Sequence, residues 1–167
     1  MMGLIRLFFL TIVLMLMVAC GGGGSSSDSS SGGDTGGGTT DGGTDPDPGP
    51  DPDPNDFSGV YNGSQSLVLS MGAISETANI DANVTVTGNA ILIDPLSANG
   101  SISSGSFVAT TNRTSTQNGL TCQFLLTYRG TISRESLSGD ITGTAICNQS
   151  GGSQTLNVTG TVSANRS

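Results

Sequence analysis

The chain has 167 residues, a formal net charge of −8, and no His, Trp or Lys. Without His or Lys, the usual bases that activate a serine are missing, and most zinc sites lose a customary ligand. The basic residues are five scattered arginines, not the clustered face that neutralises phosphates, so no nucleic-acid partner is expected.

Arg6 and the terminal amine precede an apolar run, Leu7 to Val18, broken only by Thr11. The run is short of the roughly 20 residues of a spanning helix and fits the apolar core of a signal peptide. It ends Met17-Val18-Ala19-Cys20, followed by Gly21. This stretch resembles the lipobox of bacterial lipoproteins, with Met17 where Leu is usual. The resemblance implies removal of residues 1–19, diacylglycerol on the Cys20 thiol and a further acyl chain, such as palmitate, on its new amine. Gly21 in place of Asp implies sorting to the outer membrane, with the protein facing the periplasm or the cell surface. Two or three acyl chains anchor stably where one does not.

Residues 20–56 read as a lipidated cysteine and a disordered tether. Residues 21–56 are Gly, Asp, Ser, Pro, Thr and one Asn, with eight Asp and no base. No side chain there can join a core and offset the entropy of ordering. Gly21 to Thr44 reads as flexible coil. Asp45 to Pro54, alternating Asp and Pro over most of its length, reads as a stiffer extended spacer. Alternate prolines oppose the curling that would converge several Asp oxygens on a cation, so no metal site is expected.

Residues 57–167 read as one antiparallel β domain, because apolar side chains recur with period two. In chain order the inward sets are Leu67, Leu69 and Met71; Ile80, Ala82, Val84 and Val86; Ile91 and Ile93, ended by Asp94-Pro95; and Phe107, Ala109 and Thr111. They continue as Cys122, Phe124, Leu126 and Tyr128; Leu137, Ile141, Ala145 and Cys147; and Leu156, Val158, Val162 and Ala164. Ser and Thr dominate the alternate positions, as on a solvated sheet face. Gly, Asn and Ser mark the breaks.

One pairing follows from register. A hairpin folded between Arg134 and Glu135 sets Ile132 against Leu137, Gly130 against Gly139, Tyr128 against Ile141, Leu126 against Gly143 and Phe124 against Ala145. The same register sets Cys122 against Cys147, within disulfide reach in an oxidising compartment. The alternative, two free thiols for metal or redox work, has no His or second cysteine pair beside it. Gly130, Gly139, Gly143 and Gly160 fall on or near inward positions, where glycine permits strong coiling. That favours a small meander barrel over the alternative, a β-sandwich.

The opening Phe57-Ser-Gly-Val-Tyr-Asn-Gly63 resembles the Gly-x-Trp start of lipocalin-like, calycin-type barrels, with Tyr61 in the place of Trp. Arg166, near the last strand, stands where that family carries its supporting Arg. The resemblance implies a barrel that is filled or holds one small ligand. An internal ligand site would be lined by Leu67, Val84, Ile91, Phe107, Phe124 and Leu156.

Glu76, Asp81, Asp94, Glu135 and Asp140 are the domain's carboxylates, and all read as solvated charge. No catalytic residues, cofactor or metal are expected, and the domain reads as no enzyme. Two functions stand: a structural or interaction module for an envelope protein partner, and a carrier of a small apolar ligand.

Overall fold

The structure, a computed structural model, describes residues 56–167 apart from 118, 150 and 151. The signal segment, Cys20 and the tether lie outside the described residues. The chain forms β1 (Gly59–Met71), β2 (Ile74–Thr87), β3 (Ala90–Asp94), β4 (Ala98–Ser103), β5 (Ser106–Gln117), β6 (Leu120–Ile132), β7 (Ser136–Gln149) and β8 (Gly152–Arg166). Each strand pairs antiparallel with the next, and β8 returns to β1, closing an eight-stranded meander barrel. The sandwich alternative is not adopted.

The period-two pattern decides which face turns inward. On β2, Ala78, Ile80, Ala82, Val84 and Val86 are buried, while Thr77, Asn79, Asp81, Asn83 and Thr85 are exposed. The outer face is mainly Ser, Thr and Asn; Val60, Val108 and Leu125 are its exposed large apolar residues. A lipid-facing barrel shows the opposite arrangement, an outward apolar band flanked by aromatic girdles.

Glycine permits the tight curl. A Cβ on Gly63 would lie 1.9 Å from the carbonyl oxygen of Ser163, so β1 and β8 approach there as only glycine allows. Gly130 and Gly139 face each other on β6 and β7, and the Phe107 ring lies over both. A Cβ on either would come within 2.7 Å and 2.9 Å of that ring, respectively. The aromatic side chain covers the gap the two glycines leave.

The β6–β7 register agrees with the sequence expectation from Ile132–Leu137 to Cys122–Cys147. The two sulfur atoms are bonded, and the Cα atoms are 4.0 Å apart. Tight turns join several strands. Gly72 and Gly88 have φ of 61° and 57° at the first position of two-residue loops, as type II′ turns require. Ser104 and Gly105, at 49° and 73°, give the doubly left-handed geometry of type I′.

One strand escaped the sequence reading. β4, Ala98-Asn-Gly-Ser-Ile-Ser103, buries only Ala98 and Ile102 as apolar side chains. It is held by its neighbours β3 and β5 and not by a pattern of its own.

Candidate functional site

The two ends of the barrel differ. At one end lie the start of β1, the β2–β3, β4–β5 and β6–β7 turns, and the end of β8. Tyr61 is fully buried here, with its hydroxyl 2.8 Å from the Phe57 carbonyl and 3.0 Å from the Ser133 carbonyl, the single proton shared between them. Arg166 closes the same end. Its Nη2 donates to the Ser58 carbonyl at 2.6 Å, its backbone N–H donates to Glu135 O, and its guanidinium lies against Gly59. The Ser58 hydroxyl and N–H hold the Asp56 carboxyl below its ordinary pKa where the chain enters the domain. Tyr61 and Arg166, singled out by the lipocalin-like opening, thus meet in one plug.

The interior is occupied by the protein's own side chains. Leu67, Val84, Ile91, Phe107, Phe124 and Leu156 are all buried, in one continuous core with Tyr61 and Tyr128. Two polar side chains are buried with them, Gln65 and Thr111. The Tyr128 hydroxyl donates to Gln65 Oε1 at 2.8 Å, and Gln65 Nε2 donates to the Asp94 carbonyl at 3.0 Å. Burial raises the Tyr128 pKa far above that of a free tyrosine, so the phenol stays protonated and keeps its donor. Sequence reasoning missed Gln65. The only available signal was phase: it falls two residues before Leu67 on the inward series.

The β3–β4 turn is the second feature. Leu96 is buried, drawn into the core by a loop that would otherwise be surface. Three side chains bind its carbonyls: Gln65 takes Asp94 O, Thr111 Oγ1 takes Leu96 O at 2.6 Å, and Arg113 Nη1 takes Pro95 O. The Asp94–Pro95 peptide is cis. β3 and β4 have 5 and 6 residues, between neighbours of 14 and 12. β3 therefore pairs with β2 only over Asn83–Thr87, and β4 pairs with β5 only as far as Thr110. Above the turn, among the described residues, β2 from Ile74 to Ala82 has no strand on its β3 side, and β5 beyond Thr110 has none on its β4 side. The wall there carries a notch whose base spans three inter-strand steps, about 14 Å.

Asp81, Glu135 and Asp140 are exposed, as read from sequence, and Asp140 stands opposite Arg129 on the outer face. Glu76 is exposed at the β2 rim of the notch, and Asp94 is half-buried beside the turn. Among the described residues, no group of three or more His, Cys, Asp or Glu is placed to hold a metal ion. The expected lipidation site, Cys20, lies outside the described residues.

No family model, curated protein or solved structure matches the chain.

Proposed function

We propose that this chain is a bacterial outer-membrane lipoprotein, anchored through Cys20, whose barrel is a non-catalytic interaction module. The observation that carries the module reading is the occupied interior. Its apolar space is taken by fully buried Tyr61, Leu67, Val84 and Tyr128, and the buried Tyr128, Gln65 and Thr111 spend their polar atoms on each other or on the β3–β4 turn. A carrier would instead keep the core residues around a connected cavity.

Two further features support presentation to a partner. The described chain enters at Asp56, at the end plugged by Tyr61 and Arg166, so the notched half lies away from that entry point. The mainly polar outer face suits a domain standing in water rather than one inserted in lipid. The anchor rests on the Met17-Val18-Ala19-Cys20 sequence. The lack of His and Lys supports the non-catalytic part.

Native mass spectrometry of the detergent-extracted full chain, before and after denaturation, tests this reading. The expected mass is that of the chain from Cys20 with two or three acyl groups and one disulfide, and no other adduct. A discrete small-molecule adduct lost on denaturation would replace the module with a carrier. An unacylated chain would remove the anchor.

A further inference from the structure

We propose that the bare upper edge of β2 is a strand-addition site that takes an extended basic segment of a partner polypeptide. The proposal rests on the interaction-module reading and names where and how the module binds.

The backbone carries the argument first. The β1–β2 hairpin closes on Met71–Ile74 with a two-residue loop, so even-numbered β2 residues bond to β1. The β2–β3 hairpin closes on Thr87–Ala90, so odd-numbered residues face β3. Both hairpins agree on this phase. β3 follows β2 only to Asn83, which leaves the N–H and C=O groups of Ser75, Thr77, Asn79 and Asp81 directed into the notch. The side chains of all four residues are exposed. A row of unpaired backbone groups on an exposed edge is a template for an added strand.

The two rims of the notch are not equivalent. The β3–β4 turn is tied to β5 through Thr111 and Arg113 and to β1 through Gln65. Among the described residues it shares no such bond with β2 above Asn83. The open track is therefore the upward continuation of β3 past Asp94, antiparallel to β2. An occupant there has alternate side chains beside the buried Ala78 and Ile80 and beside the exposed Thr77, Asn79 and Asp81.

Charge selects the occupant. The outward face of the bare stretch carries Asp81 and no base, with Asp94 at its foot; Glu76 shares the phase of Ala78 and Ile80 and stands exposed at the rim. A strand with small apolar residues on one face and Lys or Arg on the other complements both the core side and the outward Asp81 and Asp94. A second copy paired edge to edge through β2 would bring no base to Asp81, so it lacks the complement a basic strand supplies.

The probe is the peptide Thr-Val-Lys-Val-Thr-Val-Arg-Val-Thr, with a Glu-for-Lys/Arg version as control. It is added to the detergent-extracted full chain, and binding is followed by fluorescence anisotropy and amide hydrogen exchange. The expected result is at least tenfold slower exchange at Thr77, Asn79 and Asp81, binding that weakens with salt, and no protection from the acidic control. Asn79→Pro removes a notch-facing N–H without breaking a barrel hydrogen bond. It should keep the barrel's thermal unfolding and abolish peptide protection. Asp81→Asn should weaken binding about threefold, as for an exposed ion pair. Protection absent from these amides in the unsubstituted protein, appearing on the β5 edge, or surviving in Asn79→Pro would overturn the proposal. Any of these with a bare native mass leaves the module reading standing. A native small-molecule adduct overturns that reading instead.

Discussion

The Gln65–Tyr128 pair is the residue on which the interior turns from grease to structure. Each member satisfies the other, and Gln65 also fastens the β3–β4 turn through Asp94 O. Tyr128→Phe leaves Gln65 Oε1 buried without a donor, which should cost about 1–3 kcal/mol in urea unfolding. Adding Gln65→Leu should recover part of that loss, and a double-mutant cycle measures how much. The pair also sets a pH dependence. The unfolded chain releases the tyrosine proton near pH 10, whereas burial holds it on Tyr128 to higher pH. The folded state then binds more protons, so stability is complete below about pH 10 and falls by up to about 1.4 kcal/mol per pH unit above it. Tyr61, whose pKa is also raised by burial, adds to this fall. Tyr128→Phe should flatten the alkaline slope of urea midpoints. Little of this was legible beforehand. A lone Gln among serines carries no sign that it turns inward, because its partner lies 63 residues away.

At the scale of elements, the β6–β7 hairpin was readable and the β3–β4 hairpin was not. The first has long strands of clean alternation, with large inward residues facing small ones, so one register alone brings the cysteines together. Cys122→Ala with Cys147→Ala should cost roughly 2–4 kcal/mol, for a closed loop of this length, in chemical denaturation. The second hairpin has short strands and depends on contacts from elsewhere. Leu96→Ala should cost about 2–5 kcal/mol by leaving a cavity under the turn. Thr111→Val should cost about 1 kcal/mol through the lost Leu96 O bond, and exchange protection at Ala98 and Gly100 should drop with it. Gly139→Ala should also be destabilising by about 1–3 kcal/mol, because its new Cβ must displace both the Phe107 ring and the Arg129 carbonyl.

At the scale of the molecule, the barrel has a plugged end that receives the chain and a notched half that lies away from it. Cys20→Ser tests the proposed anchor: the protein should move from the detergent-extracted membrane fraction to unacylated material, with the barrel's thermal unfolding unchanged. What the sequence determined by itself is local and periodic. Period-two alternation fixed the all-β class and the faces of seven strands. Small inward residues fixed the curl, and one hairpin's symmetry fixed the disulfide. These are readable because each depends on neighbours within one hairpin. Barrel closure, the meeting of Tyr61 with Arg166, the burial of Gln65 and Leu96, and the bare β2 edge were decided only by tertiary structure. Each joins residues from strands far apart in the chain, and no local pattern records which distant backbone group a side chain will reach once the sheet curls shut.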